Sequence, residues 1–179
     1  MITPRKVVLY IATSLDGVIA QPGDDLSFLN LVQKEGEDYG YAAFTSTVDT
    51  VIMGRKTFDW VFQAINGVPH PDKDTYIITQ TPRPAIGRTQ FYTGDLTELV
   101  LSLRAQPGGT IYCDGGAQLA NALLRAGLLD ECIISVVPVL LGAGTRLFAD
   151  DLAQQKLHLL GSRSFDTGLV QLHYAVVRS

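Results

Sequence analysis

Cysteine is scarce: Cys113 and Cys132 are the only two in the 179 residues, too few for a disulfide framework. Both sit in apolar, strand-like runs. A bridge between them stays open, with buried small hydrophobes as the expectation. No apolar run approaches the ~20 residues needed to cross a bilayer. The short run at 7–12 is ended by Thr13, Ser14 and Asp16 before a signal-peptide core and cleavage site can form. A cytoplasmic, reduced protein is therefore expected. Neither sign of charge dominates, with 14 Lys and Arg against 18 Asp and Glu, so no long-range positive field draws the chain onto nucleic acid or anionic lipid. Any anion site must be local. His70, His158 and His173 lie far apart with no Cys or acidic partner at ligand spacing, which argues against a metal and for surface or packing roles. Repeats, low-complexity segments and domain linkers are also lacking, so residues 1–179 read as a single domain with one substantial core.

What is present is alternation. Short apolar, β-rich runs at 7–12, 50–53, 75–79, 110–113 and 131–137 are separated by segments of helical period at 39–47, 96–104 and 117–126. That order predicts an α/β fold with a largely parallel sheet. Leu119, Ala122, Leu123 and Ala126 fall on one helical stripe, and Gly127 is a natural stop. Beyond Pro138, two extended stretches at 157–163 and 169–177 flank Ser164-Phe165-Asp166-Thr167-Gly168, a sequence suited to a turn. An antiparallel hairpin should close the sheet. Its 169–177 arm has apolar residues on both faces, which suits either a dimer surface or burial within one subunit.

Three strand ends carry chemistry-bearing residues. Val51-Ile52-Met53-Gly54-Arg55-Lys56-Thr57-Phe58 is a strand meeting glycine, two cations and a hydroxyl at the first turn of a helix. Glycine lets a phosphate approach the backbone, a helix N-terminus offers unpaired N–H groups, and Arg can chelate phosphate oxygens. The alternative is a strand-helix turn with solvated charges. Thr110-Ile111-Tyr112-Cys113-Asp114-Gly115-Gly116-Ala117-Gln118-Leu119 repeats the arrangement as a second phosphate turn or an ordinary tight turn. Neither is the G-x-G-x-x-G fingerprint. The third segment, Ile11 to Ala20, leaves a strand through Ser14-Leu15-Asp16-Gly17. It reads either as a loop over a flat ring or as a hairpin with Asp16-Gly17 at its tip.

In this order and spacing, these segments resemble dihydrofolate reductase and, more closely, the reductase domain of bacterial riboflavin-pathway deaminase-reductases. Leu123 to Glu131 and Pro138-Val139-Leu140-Leu141-Gly142-Ala143-Gly144 add to that likeness, which runs over nearly the whole chain. The resemblance implies a three-layer, dihydrofolate-reductase-like α/β sandwich: a central, mostly parallel mixed sheet flanked by helices, with a C-terminal antiparallel hairpin. It implies NADPH as cofactor, a small-molecule substrate and a homodimer. By position, Ala12 and Ile19 match residues that hold the nicotinamide. Gly54, Arg55, Lys56 and Thr57 match the adenosine-phosphate turn, and Gly115, Gly116, Gln118 and Leu119 the pyrophosphate turn. Thr79, Gln80 and Thr81 match the loop near the ribose 2′-phosphate. A cis peptide is implied between Gly115 and Gly116.

The family's helical acid falls on Asp38, which reads either as a candidate proton donor or substrate anchor if burial raises its pKa, or as one of several solvated charges in Glu35-Gly36-Glu37-Asp38. Ser135 is a candidate for assisting by hydrogen bonding. The arginine that grips the folate carboxylate in dihydrofolate reductases is replaced by Lys73, which lacks the planar fork. The zinc deaminase pattern of the full riboflavin enzymes, H-x-E with P-C-x-x-C, is missing. A phosphoribosyl-aminopyrimidine therefore suits the resemblance better than folate, with residues 142–146 near its polar end. The expected chemistry is hydride transfer to a C=N or C=O carbon. A true dihydrofolate reductase and a non-catalytic NADPH-binding protein are the rival readings.

Overall fold

The computed structural model describes residues 4–178. Met1, Ile2, Thr3 and Ser179 lie outside the described residues. In chain order the elements are β1 (Val7–Ser14), β2 (Val18–Ala20), a 3-10 helix (Ser27–Val32), α1 (Tyr41–Thr45), β3 (Val48–Gly54), α2 (Arg55–Ile65), β4 (Asp74–Ile78) and β5 (Thr89–Tyr92). They continue with α3 (Leu96–Arg104), β6 (Thr110–Cys113), α4 (Ala117–Arg125), β7 (Glu131–Val137), β8 (Thr145–Arg146), β9 (Leu157–Ser164) and β10 (Val170–Val176). An eight-stranded sheet runs in the order β5-β4-β3-β6-β1-β7-β10-β9. Its first six strands are parallel, and the C-terminal hairpin adds antiparallel β10 and β9. This is the mixed, mostly parallel sheet expected from the alternation of patterns.

Strand periodicity sends neighbouring side chains to opposite faces. On β3, Ile52 joins Val7, Leu9, Ile111 and Cys113 in a core covered by α3, through Leu99, Val100 and Leu103, and by α4, through Leu119, Leu123 and Leu124. Met53, the next residue, faces the other way onto Phe58 of α2 with Ile77. The layers are therefore α3 and α4 on one face and α2 on the other. Tyr10 and Tyr112 lie on the α2 face, where Phe44 of α1 packs against them with Val48 and Val51. Both cysteines are free and buried. Burial pushes their thiols up, to about 12 for Cys113 and about 11 for Cys132, so neither is poised as a thiolate.

Helix α4 stops as expected. Gly127 has φ +64°, and its N–H donates to the Leu124 carbonyl while the Leu128 N–H reaches Leu123, the paired bonds of a Schellman cap. The segment at 39–47 departs from expectation. Only Tyr41–Thr45 is helical, because Tyr39 (φ 56°) and Gly40 (φ 83°) are left-handed and cannot begin a right-handed helix. Strand β5 was not legible because it is a four-residue edge strand without a long apolar run. Strand β2 pairs with β8 in a separate small sheet and not with β1, so the Asp16-Gly17 turn is not the tip of a simple hairpin.

No helix among the described residues is long and apolar enough to cross a membrane. Leu123 is fully buried at the centre of the larger core. Leu123→Ala should lower unfolding free energy by about 3 kcal/mol, as expected for a truncated core leucine, measured as a shift in urea midpoint at unchanged slope.

Candidate functional site

Strand β3 feeds α2 on one face of the sheet and β6 feeds α4 on the other, and these two strands are neighbours. Their carboxyl ends therefore flank a topological switch point, where open α/β sheets bind ligands. The two turns are stitched together there. The Gly54 N–H donates to the Gly115 carbonyl at 3.0 Å, and the Asp114 N–H to Ile52, also at 3.0 Å. The Gly115–Gly116 peptide is cis. Gly115 has φ +80°, which disfavours any side chain, and a Cβ on Gly116 would lie 3.1 Å from Thr57 Oγ1.

The two helices that begin at these glycines differ from α3. Asp95 caps α3 by accepting from the Glu98 N–H at 2.9 Å. The N-termini of α2 and α4 have no side-chain cap and no acid in the first turn. Their first N–H groups and positive dipole ends are thus left for an outside anion. Thr57 is close to Gly116, and Lys56 is exposed. Leu119 is buried, with its side chain in the core, so any contribution it makes at the turn comes from its backbone. Gln118 is exposed and faces a second cavity of about 270 Å³.

A cationic cluster borders the first turn. Arg55 donates to Asp59 at 3.0 Å, and Arg83 grips the same carboxylate through two bonds at 2.6 and 3.1 Å. The two guanidiniums, Arg83 first, hold the Asp59 carboxyl below its usual range. Arg83 also lies 5.3 Å from the Phe91 ring centre. Sequence reading missed it because only the fold returns β4 and its following loop to α2. Nearby, the buried Thr79 hydroxyl accepts from the Thr81 N–H at 3.1 Å, while Gln80 and Thr81 are exposed.

A cavity of about 580 Å³ opens beside Ala12 at the end of β1. Tyr10, Leu29, Val32, Tyr39, Tyr41 and Leu169 give it an apolar and aromatic wall, and Ser135 and Asp38 both line it. Ser135, only 4% exposed, accepts from Gln171 Nε2 at 3.1 Å. Gln171 is also within reach of the Tyr10 hydroxyl and the Tyr39 carbonyl. Tyr10, Tyr39, Tyr41 and Gln171 had no legible role in the sequence, being spread over three distant segments. Ile19 is partly buried against the main core.

Asp38 needs correction. It does not sit on a long helix with a raised pKa. Its carboxylate is exposed and accepts from the Gly40 and Ala42 N–H groups, both at 2.9 Å. These bonds stabilise the anion and hold the carboxyl below its ordinary value, so Asp38 is ionised at neutral pH. Arg146 also lies elsewhere than expected: it lines the second cavity, not the first, and donates to the Asp16 carbonyl. The Lys73 ammonium, at the position of the missing folate-gripping arginine, is spent on the Val48 carbonyl at 3.0 Å.

Two further networks brace the loops. Asp114, just before the double glycine, bonds His70 at 2.6 Å and the Tyr112 hydroxyl at 2.7 Å. His70 is buried and lies 44 positions away in sequence, so its acidic partner could not be read from spacing. Asp16 bonds Ser14 at 2.5 Å and accepts from the Leu141 and Gly142 N–H groups at 3.0 and 2.7 Å. The turn after β1 is thereby tied to the loop before β8.

Sheet order and the C-terminal hairpin define a dihydrofolate-reductase-like fold. Dihydrofolate reductase from Enterococcus faecalis, complexed with NADP(H), matches with a TM-score of 0.68 and 18% identity over 97% of each chain. The RibD C-terminal domain family matches residues 5–171, and the chain belongs to that family of reductase domains. It is 39% identical over 171 residues to the uncharacterised protein YwjB of Bacillus subtilis (strain 168), covering 95% of this chain and 97% of that one. A structure from Shewanella sp. PV-4, assigned to riboflavin biosynthesis, has a TM-score of 0.87 at 29% identity, covering 97% and 99% of the two chains.

The Ser14 hydroxyl and two backbone N–H groups hold Asp16 well below the usual carboxylate range. A depressed folded pKa contributes stability above the unfolded value, and this is lost as pH falls toward the folded one. Asp16→Asn should therefore show a smaller loss of thermal midpoint than the parent between pH 5 and pH 3, read by circular dichroism.

Proposed function

We propose that this protein is an NADPH-dependent reductase of a small heterocyclic substrate, resembling in chemistry the 5-amino-6-(5-phosphoribosylamino)uracil reductase of riboflavin biosynthesis. The observation that carries this reading is the meeting of two uncapped, glycine-started helix N-termini at the switch point. A dinucleotide has two phosphates to place there, and the absent side chains leave the backbone open to them. The donor set therefore fits the cofactor, which when bound supplies a hydride for an electrophilic carbon.

The chain's own residues have separate tasks. The α2 turn, Gly54 to Thr57, holds the adenosine-side phosphate of the pyrophosphate, and Gly115, Gly116 and the backbone of residues 117–119 hold the remainder of that pyrophosphate. Arg55 and Arg83, with Thr79 to Thr81 beside them, read the 2′-phosphate. Ala12 and Ile19 border the nicotinamide position, with Ala12 small enough for a ring to lie close. Ser135 offers its hydroxyl proton to a substrate acceptor. Asp38, already ionised, anchors an N–H or cationic group of the substrate, and water entering the open cavity carries the proton to the reduced product. The pocket wall aligns a flat ring with the cofactor site.

The same reading places the protein in the cytoplasm, with small molecules as ligands and a second copy as its partner. Every residue of β9 is exposed at the sheet edge, including Leu157, Leu159 and Leu160, and an uncovered apolar edge favours pairing. Light scattering should give the mass of two chains, falling to one chain in Leu159→Glu. The cofactor assignment is tested by calorimetric titration with NADPH and NADH. Arg55→Ala and Arg83→Ala should each weaken NADPH binding by roughly tenfold or more, the value of one charge-assisted hydrogen bond. NADH binding should change much less. Failure of both nucleotides to bind the parent protein would remove the basis of the reading.

A further inference from the structure

The charges around the larger cavity bear on which heterocycle it accepts. Three carboxylates line it, Glu35, Glu37 and Asp38, against one ammonium, Lys34. Asp166 pairs with that ammonium at the surface and offsets its charge, so the rim stays net negative. Glu37 accepts from the Tyr39 N–H at 2.7 Å and Asp38 from two backbone N–H groups, so both carboxylates are fixed in place. Glu35 makes no side-chain hydrogen bond or ion pair among the described residues and extends the acidic rim into solvent. Among the described residues, no arginine lines this cavity. Arg146, the one arginine in the loop expected near the substrate's polar end, borders the other cavity. Arg163, in the hairpin, lies 4.7 Å from the Phe165 ring centre.

The remaining wall is uncharged. Tyr10, Tyr39, Tyr41, Leu29, Val32 and Leu169 suit the faces of a flat ring. The buried Ser135 hydroxyl accepts from Gln171 and gives its own proton to no acceptor among the described residues. A ring with a carbonyl or imine acceptor meets a donor there, and amino groups meet carboxylates at the rim. A phosphate dianion meets three carboxylates against a single ammonium, Lys34, which Asp166 already offsets, whereas phosphate recognition depends on a surplus of Arg or Lys or on free backbone N–H groups. The rim N–H groups of Tyr39, Gly40 and Ala42 are already taken by Glu37 and Asp38.

Resting on the cofactor reading above, we propose that the substrate of this pocket is a neutral or cationic, amino-bearing heterocycle that carries no phosphate. The acidic rim at Glu35, Glu37 and Asp38 selects against the phosphorylated form of the same ring.

The test uses a 6-ribitylamino-pyrimidine and its 5′-phosphate as paired probes, titrated calorimetrically into the full protein with and without saturating NADP+. The unphosphorylated probe should bind at least about tenfold tighter, and raising NaCl should narrow the gap as the rim charges are screened. Glu35→Lys, at unchanged thermal midpoint, should also narrow it. Equal binding, tighter binding of the phosphate, no binding of either probe, or an unaltered ratio in Glu35→Lys would each overturn the proposal. NADP+ failing to bind while the unphosphorylated probe is still preferred would instead sink the cofactor reading and leave the charge selection standing.

Discussion

The arrangement of the candidate site depends on one backbone contact, the 3.0 Å bond from the Gly54 N–H to the Gly115 carbonyl. It joins two strand ends whose following helices leave to opposite faces, so both helix N-termini are presented at one crevice. A side chain at Gly54 would meet Gly115 only at ordinary packing distance, 3.7 Å. The tighter constraints lie across the seam, in the positive φ of Gly115 and in the approach of Gly116 to Thr57. Backbone proximity, more than any single charge, therefore defines this crevice, and Arg55 and Arg83 flank it through their shared grip on Asp59.

The neighbouring pocket depends on a different device. Tyr39 adopts a left-handed backbone with φ 56°, a costly choice for a bulky residue. Several bonds hold it there. Its N–H reaches Glu37, its carbonyl accepts from the Tyr10 hydroxyl at 2.9 Å, and its own hydroxyl reaches Thr167 at 2.9 Å. Its ring also meets Phe165 edge-on. One residue thus pins the 33–41 loop to β1 and to the hairpin turn, and the loop's carboxylates are set at the cavity mouth.

Much of this was legible beforehand because local rules and tertiary demands agreed. The strand-glycine-helix pattern at Gly54 and at Gly115-Gly116 needs only neighbours in sequence, and Gly127 ends α4 where its stripe ends. What failed was what the chain assembles from a distance. Asp38 was matched to the family's helical acid by position, but Tyr39 and Gly40 turn left-handed after it and two N–H groups keep the acid ionised. His70 finds Asp114 and Arg83 finds Asp59 only through the sheet order. Lys73 was read as a poor carboxylate clamp from its chemistry alone, and its engagement with the Val48 carbonyl could not be read from spacing. Cavity walls drawn from β1, the 33–41 loop, β7 and the hairpin leave no local signature.

Asn121 shows how a single amide can fix geometry that apolar packing would leave adjustable. Buried at 4% exposure, it donates to the Ala117 and Leu147 carbonyls at 2.6 and 2.8 Å and accepts from the Ala149 N–H at 3.0 Å. Leucine of similar bulk would strand those backbone groups away from water. Helix α4 and the 147–149 segment consequently share one register, as two machine parts do when keyed to a common shaft. The second cavity between them inherits walls whose spacing is set by hydrogen-bond length, and any ligand that enters must conform to that gauge.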